Sequence, residues 1–276
     1  MTQVGSMETG AKAPAEVAKP VMSSQNKTYL ASLALLVLVL LAWQFLPPAL
    51  GVPKFIIPTV TDCLFEMKRM LLQEGLVGHT LSTALYTVLG FAIGSLLGAV
   101  IGYLLGMSEF WEKVLSPYIL ALQIAPKVAF APLFIMWFGY NAMPKLLVTV
   151  LIVFFPVLVN VLQAMRTVDR DLVNLARAYN LSRWGIFMKV EMPSTLPNLM
   201  AGLRIASTLA VIGVTVGELV GGNTGLGFLI SYGGGQANAA MVFNAIVLLT
   251  VIGFLLYSVL VRIEERVLHY LPKAQH

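Results

Sequence analysis

Charged side chains are scarce in this chain: Asp, Glu, Lys and Arg make up 11% of its 276 residues. A soluble domain carries roughly 25%. A water-facing globular fold is therefore excluded, and the 58% of hydrophobic residues points to an integral membrane protein. The one cysteine, Cys63, rules out an internal disulfide and a cysteine-cluster metal site. His79, His269 and His276 are too scattered for a metal site, and no nucleophile–base spacing stands out. A Gly-Lys-Ser/Thr ending is also missing. The glycine-rich run Gly221-Gly-Asn-Thr-Gly-Leu-Gly227 is thus no phosphate loop, and neither ATP hydrolysis by this chain nor another catalytic residue is expected. The net charge of +5 is not a nucleic-acid signal, because the basic residues sit in loops between apolar runs.

What the chain has in abundance is long apolar runs. Residues 1–28 are polar and small, with Lys12, Lys19 and Lys27 and no apolar periodicity, and are expected to form a disordered tail. Leu30–Leu46 is almost wholly apolar and close to the ~20 residues a bilayer core requires. It reads as a retained span stopped by Pro47-Pro48, with a cleaved signal peptide as the rival because Ala49 and Gly51 follow. Val60, Cys63, Leu64, Met67, Met70 and Leu71 then share one helical face opposite Asp62, Glu66, Arg69 and Gln73. Thr59 and Asp62 have capping-box spacing. This amphipathic helix either lies along the membrane surface or packs on a neighbouring loop.

Five further spans are predicted at His79–Met107, Pro117–Phe138, Pro144–Met165, Thr195–Gly221 and Ala240–Arg262. The predicted fold class is an all-α integral membrane protein with six transmembrane helices. Residues 29–78 hold the first span and the surface helix, and residues 79–265 form a five-span core interrupted by a polar loop at 166–193. Residues 266–276 form a C-terminal tail. One side of this arrangement collects twelve Lys and Arg residues; the other has Lys54, Lys68 and Arg69, with Lys145 at the margin. The positive-inside rule then places both termini and the 166–193 loop in the cytoplasm.

Gly90, Gly94, Gly98, Gly102 and Gly106 make a smooth strip along the second span, suited to close helix packing within the chain or against a second subunit. Gly213, Gly217 and Gly221 repeat the spacing in the fifth span. In the third span Pro126 removes a backbone hydrogen bond, beside Gln123, Lys127 and Pro132. Such a break needs protein or a water-filled cavity to satisfy the freed carbonyl, and a lysine at that depth needs a partner or that cavity. Gln123, Pro126 and Lys127 are therefore candidates for a translocation pathway, with a structural kink as the alternative. Glu218, near the end of the fifth span, is either a pathway or an interfacial residue. Arg204 can snorkel to the cytoplasmic surface.

The 166–193 loop holds Arg166, Arg170, Arg177, Arg183 and Lys189. Leu172, Leu175, Ala176 and Tyr179 give one apolar face to a short helix over Asp169–Tyr179. Ser182 can cap a second helix carrying Trp184, Phe187 and Met188, and Asn180 between them tolerates a left-handed backbone. With that turn, the loop resembles the "EAA" cytoplasmic loop of bacterial ABC-importer permeases. Asn174, Leu175 and Ala176 stand for Glu-Ala-Ala, Asn180 for the following Gly, and Val190, Met192 and Pro193 for Ile, Leu and Pro. Position 174 departs from the family pattern by lacking the acid.

From about Val52 to His269 the chain is similar to the nitrate/sulfonate/taurine branch of that family, which also includes permeases for pyrimidine vitamin precursors. Pro126-Lys-Val-Ala-Phe-Ala-Pro132, Trp137-Phe-Gly139, Phe154-Phe-Pro156, Gly202-Leu-Arg204, Gly217-Glu218 and Gly225-Leu-Gly227 carry this resemblance. It implies a type I importer permease in a bacterial cytoplasmic membrane. It also implies an ATPase subunit that holds ATP and Mg2+ and is met by the cytoplasmic loop, an extracytoplasmic solute-binding protein, and a second permease subunit, most simply an identical one. An ion-coupled secondary transporter is the alternative from another class, although no inverted repeat is visible.

Overall fold

The computed structural model describes residues 24–269, all of whose regular elements are helical. Most of both predicted tails lies outside the described residues. Ser24–Thr28, expected in the N-terminal tail, instead form the first turns of α1 (Ser24–Ala49). From Leu30 to Leu46 this helix is apolar on every side and exposes nearly all of its side chains to the surroundings, as a lipid-facing span does. One end tethers it. Trp43 Nε1 donates to Pro58 O at 2.8 Å, and Gln44 both donates to the Thr61 hydroxyl and accepts from the Thr61 amide.

The next helix, α2 (Val60–Gln73), starts with the reciprocal Thr59–Asp62 capping box. Its Cys63 and Met70 are buried against α11 (Ala239–Val267), where Asn244 Nδ2 donates to Cys63 O at 2.8 Å. Leu64 and Leu71 remain exposed beside Phe65 and Leu72. The helix therefore packs on a membrane span rather than on a loop, and still presents an apolar edge outward.

The core is a three-helix sandwich: α3 (Leu76–Gly106) and α9 (Met192–Gly221) lie on either side of α6 (Ala142–Arg166). In lipid there is little hydrophobic drive between helices, so close van der Waals packing has to hold them. The glycine strip of α3 supplies it within the chain. A Cβ at Gly94 would stand 2.9 Å from Val150 O, and one at Gly98 would stand 2.6 Å from Phe154 O. Gly213 of α9 comes equally close to the Thr149 backbone of α6. Val148, Val153, Val157 and Val161 of α6 are wholly buried as a result. On the other flank, α10 (Leu226–Gly235) and α11 bury Leu226, Leu229 and Met241 with Met70 and Leu76.

Two predicted spans need correction. The third is not one helix over 117–138. It consists of α4 (Glu109–Ile124), a 3-10 turn at Lys127–Phe130 and α5 (Ala131–Phe138), bent by 81°. Ala125 is extended, as a residue before proline must be. Among the described residues, five helices are long and apolar enough to cross a membrane, six if the bent pair is one span. The fifth span begins earlier than Thr195. It runs unbroken over Arg183–Gly221, 39 residues, through α8 (Arg183–Ile186), a π-helical turn at Phe187–Glu191 and α9. Pro193 lies inside this continuous helix, directly after the π-helical turn, a local adjustment of the kind that lets a membrane helix tolerate a missing N–H. The second half of the 166–193 segment is therefore the base of a span.

Candidate functional site

Three places gather the chemistry. The first is the hairpin of α7 (Arg170–Ala178) and α8. Asp169 caps α7 by accepting from Asp171 N, and Ser182 caps α8 by accepting from Gly185 N. Between them Asn180 has φ 56, the left-handed value a tight helix–turn–helix needs. The helix is thus short, sharply ended and rigidly followed by its partner. Ala176, Ile186 and Phe187 face the bundle and are buried, Phe187 edge-on to Tyr103 at 5.3 Å. Leu172, Leu175, Tyr179 and Trp184 stand exposed. Asn174 and Arg177 line a cavity of about 500 Å3 behind the hairpin, with Arg170, Arg183 and Glu191.

Arginines fasten the hairpin to the end of α3 and the end of α6 to α4. Arg183 donates to Met107 O at the end of α3 and lies 3.5 Å from Glu191, while Arg166 pairs with Glu112 and donates to Ser116 of α4. Glu191 is buried, and its Oε2 has no hydrogen-bond partner among the described residues.

The second place is the elbow at Pro126. Lys127 Nζ donates to Gln123 O at 2.5 Å, one of the carbonyls left without an in-helix partner, and lies 4.9 Å from the Phe155 ring centroid. Gln123 itself lines a cavity of about 420 Å3 with Ser116, Gln163, Arg166 and Thr167. Beyond the elbow Phe130, Phe134 and Trp137 form a file of rings with centroids 6.2 and 5.9 Å apart. Gln123, Pro126 and Lys127 are thus together.

Glu218 is not with them. It lies at the far end of α9, buried in a polar cluster that sequence reasoning did not assemble. Thr83 Oγ1 donates to both of its oxygens at 3.0 and 2.9 Å, Gly227 N donates at 3.0 Å, and Lys145 Nζ stands 3.4 Å away. Lys145, read earlier as marginal, is itself buried, with Ser82 Oγ at 3.1 Å, Thr224 Oγ1 at 3.4 Å and the Tyr86 ring at 4.4 Å. The one hint in the sequence was a lysine at the second position of the predicted Pro144–Met165 span and an acid three residues before the end of the Thr195–Gly221 span.

Residues 81–269 match the family model described as binding-protein-dependent transport system inner membrane component. The chain belongs to this family. It is a membrane permease of the ATP-binding-cassette importers, which sets aside the ion-coupled transporter. Among its relatives, the riboflavin transport system permease protein RibX of Chloroflexus aurantiacus is 40% identical over 233 residues, 84% of this chain and 87% of RibX. The permease protein SsuC of Bacillus subtilis, named for aliphatic sulfonates transport, is 30% identical over 259 residues, 94% of each chain. A solved chain of the inward-facing MetNI methionine ABC transporter superposes with a TM-score of 0.61 at 20% identity. It covers 70% of this permease and 95% of that chain, which establishes a shared fold.

Proposed function

We propose that this permease sits in a bacterial cytoplasmic membrane with its α7–α8 end and both termini in the cytoplasm. There the hairpin docks on a separate ATPase subunit that holds ATP and Mg2+. The observation that carries the reading is the bare set of Leu172, Leu175, Tyr179 and Trp184 on a capped, rigid hairpin. Large apolar side chains held in place by a locked turn are what a groove on a partner can grip, and a docked helix transmits rigid-body motion. The continuous Arg183–Gly221 helix carries that motion through the membrane. A second, identical permease completes the pathway, and an extracytoplasmic binding protein delivers solute to it.

For the solute, the file of Phe130, Phe134 and Trp137 beside the Pro126 elbow supports a flat heterocycle of the vitamin-precursor kind, since aromatic faces stack on such rings. A small anion such as a sulfonate is the second reading, supported by the Lys127 ammonium at the same elbow. Co-purification of the tagged permease with an ATPase tests the assembly; recovery of the permease alone in every detergent would count against it. Uptake by reconstituted complexes separates the solutes. Trp137→Ala should abolish heterocycle uptake, and Lys127→Ala should abolish anion uptake, each without loss of the ATPase.

A further inference from the structure

The glycine-rich run after α9 is bound backbone-first. Gly225 N donates to His79 Nδ1 at 2.9 Å, Leu226 N to Thr83 Oγ1 at 2.8 Å and Gly227 N to Glu218 Oε2 at 3.0 Å. Three successive amides at the start of α10 thus converge on side chains of α3 and α9. Lys145 of α6 adds Thr224 Oγ1 at 3.4 Å. The cradle is cut to fit: Gly225 has φ +113, and a Cβ there would overlap the Glu218 carboxylate. Glu218 thus fills a helix N-terminus of the kind that binds anions, and no free anion site remains there.

The placement of this cluster is what gives it meaning. Lys145 stands in the first turns of α6, whose far end leads into the α7–α8 hairpin. Glu218 stands in the last turn of the helix that starts at Arg183 in the same hairpin. At 1.5 Å per residue that helix is on the order of 60 Å long. The two helices that flank the hairpin are therefore joined again at their opposite ends, through one buried ion pair and the amides of α10.

We propose that the Lys145–Glu218–Thr83 cluster is a latch. It holds α10 against the bundle at the end opposite the hairpin, and it releases α10 when the hairpin shifts α6 against α9. A buried pair with 3.4 Å between its charges and hydroxyls around it suits this role, because a small slide of one helix can exchange its partners and let α10 draw Leu226 and Leu229 out of the core. Lys145, Glu218 and Thr83 act here as positioning residues, with the solute handled elsewhere. The latch rests on the importer reading.

Leu226 and Leu229 of α10 are wholly buried and serve as reporters. In a Cys63→Ser background, Leu226→Cys is placed in the permease–ATPase complex in proteoliposomes. Its reaction with a membrane-impermeant maleimide is then timed at rest and with ATP plus vanadate. The latch predicts protection at rest and labelling about tenfold faster or more in the trapped state. Thr83→Val should raise the resting rate toward the trapped one, and Thr83→Ser should restore protection. Leu229→Cys repeats the measurement should Leu226→Cys fail to assemble. Equal protection of both reporters in both states, in a complex that hydrolyses ATP, overturns the latch and leaves the importer reading intact. Failure to recover any ATPase overturns the importer reading itself. A Lys145→Met/Glu218→Met pair that transports as well as the parent would also overturn the latch, since it would show the cluster to be replaceable filling.

Discussion

At one end of the α6–α9 pair, Leu172, Leu175, Tyr179 and Trp184 stand bare on two short capped helices. At the other end Lys145, Glu218 and Thr83 are closed off by α10. The first end leaves apolar surface uncovered where a soluble surface would be polar, which is the surface the proposed docking on an ATPase would cover. The second end hides charge where a membrane core would be apolar, so its partners are already inside the chain. A substitution should therefore act on association at the hairpin and on assembly at the cluster. The comparison can be broken if either end behaves like the other.

The largest effect is expected at the cluster. Lys145→Ala leaves the Glu218 carboxylate buried without its counter-charge, which costs about 3–5 kcal/mol in comparable buried pairs. Thermal unfolding of the purified permease in detergent should show that loss, and Lys145→Met/Glu218→Met should recover most of it. A Lys145→Ala protein as stable as the parent would mean that the pair does not hold the bundle.

Next comes the hairpin. Tyr179→Ala and Trp184→Ala remove exposed rings, so each should change stability by less than about 0.5 kcal/mol. Aromatic anchors at interface centres are worth about 2 kcal/mol or more. ATPase binding measured by surface capture should therefore weaken by more than tenfold, with the melting curve unmoved. A shift of the melting curve comparable to that of Lys145→Ala would erase the distinction between the two ends.

Asn180 sharpens the same point at a smaller scale. Asn180→Gly should retain full coupling, because glycine takes φ 56 without strain. Asn180→Val should lose ATPase stimulation at a cost of about 1–2 kcal/mol, because a β-branched side chain resists that conformation. Equal stimulation in both variants would show that the turn does not set the hairpin.

The two ends also differ in how far they could be read from residues alone. Asp169, Asn180 and Ser182 act on their own neighbours, so a cap and a left-handed turn are written within a few positions. The glycine strip of α3 likewise has a period that a helix turns into a face. The cluster has no such local record. Lys145 and Glu218 are 73 residues apart, and Glu218 and Thr83 are 135 apart, so only the packing of α3, α6 and α9 reveals them as partners. Pro193 misled for a related reason. The polar loop was bounded at Pro193, whereas the π-helical turn before it accommodates the missing N–H and one helix runs back to Arg183. The Pro126 elbow was legible as a break but not as an 81° bend, because the angle depends on what α5 packs against.

The smallest effect is expected on α2, which lies at the cluster's end of the bundle but carries its charges near the surface. Hydrogen bonding to Lys54 holds the Asp62 carboxyl below its ordinary range, and Arg69 does the same for Glu66. A carboxylate with a depressed folded value binds its proton later on acidification than the unfolded chain does. Its contribution is therefore complete above the ordinary carboxylate range and is lost as pH falls through the depressed value. The Lys54–Asp62 and Arg69–Glu66 pairs are partly exposed, at 2.7 and 2.6 Å, so each should be worth at most about 1 kcal/mol. Melting temperatures taken from neutral pH down to about pH 3 should fall for the parent and fall less steeply for Asp62→Asn and Glu66→Gln. The gap between variants and parent should narrow as pH falls through the depressed values, where the parent's carboxylates take up their protons. Parallel curves for parent and variants would show that these pairs add nothing, and would leave Cys63 and Met70, packed on α11, as what anchors the helix.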